Sequence, residues 1–184
     1  GLRVVAVASR TPERARATAK RTGGTPTTFE QLPTDVDYVV VSTPPSRHLG
    51  DVRRALEHGA AVIVEKPMCT TLKDADEFVA LGEHSGHRVL YADNVLHAPV
   101  MREFLRRVPT IGPVRDLEVR AIHPAPSWRT PLDPTWGGGA LLDLGVQALA
   151  LAVSAAAPAV PRSIEARVGR SGAGSDGVDD HAEM

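Results

Sequence analysis

The chain has 184 residues, of which 42% are hydrophobic and 23% charged, and its formal net charge at pH 7 is −1. This balance is typical of a globular protein with one or two domains, and nothing in it favours binding to nucleic acid or to an anionic membrane surface. Cys69 is the only cysteine, which excludes an internal disulfide and fits a reducing compartment. His84 and His87 have no cysteine or carboxylate partner at a metal-site spacing, so we predict no metal centre.

The first half of the chain alternates strand-like and helix-like segments. Apolar runs of strand length occur at 3–9, 36–43, 60–65 and 87–93. Helical patterns separate them, at 11–24, 46–59 and from Thr71 onward. Thr11 before Pro12 predicts one helix start, and Thr71 with Asp74 resembles a capping box. Strands that are apolar on both faces and separated by helices predict a doubly wound parallel sheet of α/β class.

Chemically distinctive residues follow these predicted strands. Ser9-Arg10 ends the first, Thr43-Pro44 the second and Glu65-Lys66-Pro67 the third. Sheets of this kind bind ligands just beyond the carboxyl ends of their strands. We therefore predict that the functional site lies at this edge of the sheet.

The second half of the chain has a different character, and we place the domain boundary between residues 1–94 and 95–184. Its patterns predict a helix at 97–108, an antiparallel strand at 114–123, a loop at 124–139, a helix from about Ala140, a strand near 163–168 and a loop tail. The apolar stretch 141–157 contains Asp143 and Gln147, which favours a buried helix over a membrane span. We expect a cytoplasmic protein whose natural sequence extends beyond both ends of this chain, so that any targeting segment would lie upstream.

Several motifs in the right order resemble one family. They are VVVSTPPSRHLGDVRRALEHGAAVIVEKPMCTTLKDADEFVALGEHSG, the Asp-Asn after the next strand, Trp128-Arg129, and GGGALLDLGV at 137–146. Over nearly its whole length the chain resembles the Gfo/Idh/MocA oxidoreductases, the group of glucose–fructose oxidoreductase and inositol dehydrogenase.

The resemblance implies a Rossmann domain followed by an α+β domain with an open antiparallel sheet. It implies NAD(P)-dependent hydride transfer on a sugar, a cyclitol or a related small molecule. It also implies that this chain begins at the second Rossmann strand, without the first strand and its G-x-G-x-x-G loop, and that the antiparallel sheet is incomplete. In the full-length protein that sheet would form a homo-oligomer.

The tip of the first predicted strand bears on the choice of cofactor. An acidic residue there would hydrogen-bond the ribose 2′-hydroxyl, whereas an arginine accommodates a 2′-phosphate. Ser9 and Arg10 therefore favour NADP(H) over NAD(H), and the alternative is a solvated arginine in a helix-entry turn. The resemblance extends the cofactor contacts to Thr11, Ser42, Thr43, Pro44, His48, Glu65 and Lys66.

Lys66 is the first candidate for catalysis. Its ammonium group can hydrogen-bond the substrate oxygen that gains or loses a proton, and it can stabilise developing alkoxide charge. Pro67 would fix the turn that aims it, and a cis Lys66–Pro67 bond is compatible with this sequence. Without the family resemblance, a surface turn is the favoured interpretation. The predicted substrate contacts are Lys66, Asn94, Trp128, Arg129, Asp143 and Gln147.

Asp143 and Gln147 lie four residues apart on one face of a predicted helix, as does the family's D-x-G-x-H motif. Gln147 stands where the motif has histidine, and Leu96 stands where the family commonly has an arginine after the last Rossmann strand. Glutamine can orient a hydroxyl but cannot transfer a proton at neutral pH. Either Lys66, His97 or His123 handles the proton, or the protein is a binding relative without turnover. Elimination or hydrolysis of a glycoside is a third possibility, for which no residue argues specifically.

Overall fold

The computed structural model describes residues 1–86, 88–122, 124, 133–170 and 177–184. The chain begins with a short parallel unit. It consists of β1 (Ala6–Ala8), α1 (Pro12–Thr22) and β2 (Thr25–Thr27). β1 and β2 pair in parallel with Ala6 opposite Thr25. The sequence did not predict β2, which contains a proline.

A second parallel unit follows and supports the candidate site. It consists of β3 (Tyr38–Val41), α2 (Pro45–Glu57), β4 (Ala61–Glu65), α3 (Leu72–His84) and β5 (Val89–Ala92). The strand order is β3-β4-β5, with all neighbours parallel. This arrangement confirms the predicted Rossmann-type α/β fold. Each strand delivers its carboxyl end to the same edge of the sheet.

The core of this unit lies between the sheet and its helices. Its buried residues are Val41, Val52, Ala55, Val62, Val64 and Phe78. Burying such side chains contributes about 1.5–3 kcal/mol each relative to leaving them exposed. Both helices contribute to this cluster, α2 through Val52 and Ala55 and α3 through Phe78.

Both predicted helix starts are confirmed. Asp74 N–H donates to Thr71 Oγ1 at 3.1 Å, which forms the predicted cap. Thr11 is the N-cap residue of α1, and Pro12 begins the helix. The Thr11 side chain makes no capping bond, and Thr11 N–H donates to Ser9 Oγ at 3.3 Å.

The predicted helix at 97–108 is divided. α4 (Asn94–His97) and α5 (Pro99–Arg107) are separated by Ala98, whose ψ of 133° is extended. A residue before proline is disfavoured in the helical region, which explains the break. A 3₁₀ turn (Val108–Ile111) follows α5.

The predicted strand at 114–123 was wrong for its described residues, because 114–122 form no strand. An alternating pattern needs a partner strand, and none lies beside this segment in the described part of the chain. A 3₁₀ turn (Pro134–Trp136) precedes the next helix.

The predicted helix from Ala140 is present in two continuous parts. A π-helical segment (Leu141–Gly145) leads directly into α6 (Val146–Ala156). We call the two together the site helix. No helix among the described residues is long and apolar enough to cross a bilayer.

The chain ends in an antiparallel pair of strands. β6 (Arg167–Gly169) pairs with β7 (His181–Glu183), with Gly169 opposite His181. β7 falls in the tail predicted as a loop, so that prediction was wrong for these residues. Three residues of strand carry too little pattern to be recognised without the partner.

Candidate functional site

The carboxyl end of β4 delivers Lys66 to the site helix. Lys66 Nζ donates to Asp143 Oδ1 at 2.5 Å and to the Asp143 backbone carbonyl at 3.0 Å. Their side chains are 26% and 21% exposed, so the pair is shielded but reachable. The Lys66–Pro67 peptide bond is cis. The structure therefore brings the predicted amine and carboxylate into direct contact.

A second polar pair lies one helical turn further along the site helix. Gln147 Nε2 donates to Asn94 Oδ1 at 3.2 Å, and Asn94 begins α4 directly after β5. Each pair joins the end of a strand to the same helix. The structure thus brings together the predicted residues Lys66, Asn94, Asp143 and Gln147.

Asp93, just before Asn94, is an unusual buried carboxylate. It is 4% exposed, and neither of its oxygens has a hydrogen-bond partner in the described part of the chain. Most buried polar groups are hydrogen-bonded, so Asp93 is an exception at the edge of the candidate site. No motif in the sequence indicates a role for it.

Tyr91 has a raised pKa, to which burial and this nearby negative charge contribute. Burial raises the pKa of its phenol to about 12, with smaller contributions from Asp93, Cys69 and Glu65. Glu65 itself turns back toward its own loop, where Oε2 accepts a hydrogen bond from Lys66 N–H at 3.1 Å. The Glu65 carboxylate therefore stabilises the turn that carries Lys66.

The end of β3 is linked to the same turn through His48. The ring is 1% exposed, with Nε2 2.7 Å from the Thr43 carbonyl and Nδ1 3.1 Å from the Met68 carbonyl. A neutral imidazole can donate to only one of these carbonyls, whereas an imidazolium donates to both. His48 is thus buried between two turns and links them through its ring nitrogens, which is a structural role.

Thr43 is anchored by a carboxylate that the sequence analysis missed. Thr43 Oγ1 donates to Asp51 Oδ2 at 2.7 Å, and Asp51 also pairs with Arg47 at 3.3 Å. Asp51 lies on α2, and its role depends on a contact across eight positions of sequence that no motif indicates.

The tip of β1 presents Ser9 and Arg10. Ser9 Oγ accepts the Thr11 N–H bond, and Arg10 is exposed. The Arg10 guanidinium lies 5.6 Å from the centroid of the Trp136 ring, a cation–π distance. Trp136 thus lies beside the strand tip that is predicted to contact the cofactor.

The remaining predicted residues either lie outside the described part of the chain or are exposed. Trp128, Arg129 and His123 lie outside the described residues. His97 is exposed at the end of α4, and Ser42 is exposed after β3. No group of three metal-binding side chains occurs among the described residues.

Two cavities are lined by described residues, but neither contains the Lys66–Asp143 pair. One of about 480 Å³ lies between α2 and the segment before β3, and includes Phe29, Val39 and Thr43. Another of about 420 Å³ lies between Thr70 and the β6–β7 hairpin. Lys66 Nζ and Asp143 Oδ1 are instead in direct contact with each other.

Known proteins are similar to this chain over most of its length. Residues 1–92 match the Gfo/Idh/MocA family, described as an oxidoreductase family with an NAD-binding Rossmann fold. A dTDP-3,4-didehydro-2,6-dideoxy-α-D-glucose 3-reductase of Actinomadura kijaniata is 34% identical over 151 residues, which cover 78% of this chain and 45% of the relative. The chain spans about half the length of the curated relatives it matches.

Solved structures give the same result. GenD2 from gentamicin A biosynthesis, in complex with NAD, matches 99% of this chain and 53% of its own, with a TM-score of 0.81 and 27% identity. KijD10, a 3-ketoreductase from Actinomadura kijaniata in complex with NADP and TDP-benzene, matches 78% of this chain and 46% of its own, with a TM-score of 0.64 and 32% identity.

These relatives are named as reductases or hold a nicotinamide dinucleotide, and they give no support to a binding relative without turnover. The β4 turn and the site helix lie within the stretch shared with GenD2, which matches 99% of this chain. The chain therefore belongs to the Gfo/Idh/MocA family of oxidoreductases.

Proposed function

We propose that the full-length protein is an NAD(P)-dependent reductase that transfers a hydride to a keto-sugar or a related cyclic ketone, with Lys66, Asp143 and Gln147 in its active site. The contact between Lys66 Nζ and Asp143 at the carboxyl edge of the sheet carries this proposal. A dehydrogenase and a reductase use the same groups in opposite directions. We favour reduction because the sugar-specific relative is named for it.

The residues at the strand ends fit a dinucleotide. Ser9 and Arg10 would hold the adenosine end, and Arg10 favours a 2′-phosphate and hence NADP(H). Thr11, Ser42, Thr43 and Pro44 would line the middle of the cofactor, with His48 and Glu65 stabilising the turns behind it. When bound, the nicotinamide supplies the hydride. GenD2 is in complex with NAD and KijD10 with NADP, so the NADP preference depends on Arg10 alone.

Lys66 would act on the substrate oxygen. In reduction, the carbonyl oxygen gains negative charge as the hydride arrives, and a nearby ammonium group stabilises that charge and can donate a proton. Asp143 holds Lys66 in place before substrate binds, through the 2.5 Å contact. A substrate hydroxyl would then accept a hydrogen bond from Lys66 or donate one to Asp143, in place of one of the two Lys66–Asp143 bonds.

Gln147 would orient the substrate and leave the proton to Lys66. One Nε2–H donates to Asn94 Oδ1 at 3.2 Å, so the second Nε2–H and the Oε1 oxygen remain for a neighbouring hydroxyl. With the proton transferred by Lys66, the reaction would not need a histidine at position 147. Asn94, with Trp128 and Arg129, would complete the polar contacts to the substrate.

The experiment is NADPH oxidation by the full-length protein with a panel of keto-sugars, including nucleotide-linked ones, and with cyclitol ketones. We expect turnover on at least one member of the panel. Bound NADPH without turnover on any of them would refute the reductase proposal.

Cofactor preference is tested separately by Arg10→Ala. A lost charge-assisted hydrogen bond costs about 1.5–3 kcal/mol, which predicts a drop of about 10- to 150-fold in the preference for NADPH over NADH. Arg14→Ala, which changes an exposed arginine in α1, is the matched control. An unchanged ratio of the two kcat/KM values in Arg10→Ala would refute the 2′-phosphate role.

A further inference from the structure

The site helix has no capping side chain of its own. The residues before it, 137–139, are glycines, and the helix start at Ala140 makes no side-chain cap. The first N–H groups of a helix have no partner within the helix, so another part of the chain has to satisfy them.

Asp179 supplies these bonds from a distance of nearly forty residues in sequence. Its Oδ2 accepts from Leu141 N–H at 2.8 Å, and its backbone carbonyl accepts from Ala140 N–H at 2.9 Å. A carboxylate at this end of a helix is also favoured by the helix dipole. Asp179 therefore closes the start of the site helix with both its side chain and its backbone.

Gly139 makes this approach possible. A Cβ added there would lie 2.2 Å from Asp179 Oδ1, and the φ of +116° already disfavours a side chain. The β6–β7 hairpin holds Asp179 in turn, since Asp180 N–H donates to the Gly169 carbonyl at 3.0 Å and Val178 is buried.

The cap lies one helical turn from the candidate catalytic pair. Asp143 N–H donates to the Gly139 carbonyl at 2.9 Å, and the Asp143 side chain meets Lys66. Any shift of the helix start would therefore move Asp143 relative to the strand end that carries Lys66.

We infer that Asp179 is a positioning residue for Asp143. The C-terminal hairpin, which carries Asp179, thereby maintains the geometry of the active site. Asp179 acts by fixing the first turn of the site helix, so that the Asp143 carboxylate stays against Lys66 Nζ. The effect on catalysis rests on the proposed function, whereas the effect on the Lys66–Asp143 contact does not.

The first test needs no turnover. Full-length protein is labelled briefly with acetic anhydride, and the modification of Lys66 relative to the exposed Lys73 is measured by mass spectrometry. We expect Asp179→Ala to raise this ratio several-fold, because a lysine released from Asp143 is more reactive. Gly139→Ala should do the same, since its Cβ displaces the Asp179 carboxylate. Glu183→Gln, which removes an exposed carboxylate from the same hairpin, should leave the ratio unchanged.

Unchanged labelling in whichever of Asp179→Ala and Gly139→Ala folds, even with a lowered melting temperature, would overturn the inference. In that case the cap would be structural only.

The second test is kinetic. We expect Asp179→Ala to lower kcat about 10- to 100-fold, as displacement of a catalytic group does, with the KM for NADPH unchanged. In an Asp143→Asn background the same change should have no further effect, because the residue it positions is already lost. Additive losses would contradict the inference. Absence of turnover in the unmodified protein would refute the proposed function, while the labelling ratio would still decide the role of Asp179.

Discussion

The parallel unit built around β3, β4 and β5 and the region that follows Ala98 are organised in different ways. In the parallel unit, one apolar cluster joins helices and strands that are neighbours in sequence. In the later region, contacts between distant residues are prominent, such as Lys66–Asp143, Asn94–Gln147 and Asp179 with the helix start. The parallel unit is therefore a scaffold stabilised by apolar burial, whereas the position of the site helix depends on a few polar contacts.

The largest effect should come from Lys66→Ala. Loss of a group that stabilises charge and transfers a proton lowers kcat/KM by about 10²- to 10⁴-fold. The pair is partly exposed and contributes little to folding, so the melting temperature should change little. Steady-state NADPH oxidation and thermal unfolding of the full-length protein measure the two effects, with Lys73→Ala as the control. If Lys66→Ala greatly lowered stability and left activity intact, Lys66 would belong to the stabilising scaffold and the proposed contrast between the regions would be wrong.

The scaffold should respond in the opposite way to Phe78→Ala. Phe78 is 3% exposed in the core, and its truncation should lower the free energy of unfolding by about 3–5 kcal/mol. The neighbouring Val79 is 60% exposed, so Val79→Ala should stay within about 0.5 kcal/mol. Urea unfolding measures both. An equal loss from Leu149→Ala, a half-exposed residue of the site helix, would contradict the comparison.

Variants of Asn94 and Gln147 test whether a single hydrogen bond couples the two regions. A typical hydrogen bond contributes about 1 kcal/mol, so Asn94→Ala and Gln147→Ala should each lower kcat/KM about fivefold. Because the two side chains act together, the double variant should be no worse than either single one. Multiplicative losses would show that the two side chains act independently.

The smallest effect concerns Tyr91, at the edge of the scaffold. Its pKa of about 12 in the folded protein lies above the value near 10 of an unfolded chain. The unfolded chain therefore loses this proton first, so the stability contributed by Tyr91 is complete below about pH 10 and is lost between about pH 10 and 12.

Tyr91→Phe should accordingly change stability by less than about 0.5 kcal/mol at pH 7 and flatten the alkaline decline. Urea unfolding at several alkaline pH values measures the slope, and tyrosinate absorbance follows the titration. An unaltered slope in Tyr91→Phe would contradict the assigned cause.

The same contrast explains what could be predicted from the sequence. β1, β3, β4 and β5 follow from apolar runs bounded by helix patterns, because both of these signals are local in the sequence. Thr71 could be recognised as a cap because its partner Asp74 is three residues away. Lys66, Asp143 and Gln147 could be chosen only through motifs shared with a family.

Features that depend on distant partners were not predictable in this way. β7 pairs with β6 across more than ten residues, and Asp179 reaches a helix start nearly forty positions earlier. The alternation at 114–123 predicted a strand because the sequence does not reveal whether a pairing partner is present. Asp51 escaped notice because a carboxylate on a helix surface has no local signature for holding Thr43.

The location of the proposed substrate-facing groups has a consequence for recombination between relatives. Asp143, Gln147 and the cap at Asp179 lie in one contiguous stretch of sequence, and hydrogen bonds with Lys66 and Asn94 link this stretch to the strand ends. Under the proposed function, a chimera that exchanges residues 133–184 as one block would combine a foreign substrate surface with an unchanged cofactor scaffold. Such a block would be a unit for altering substrate choice, whereas a crossover inside it would separate the helix from its distant cap.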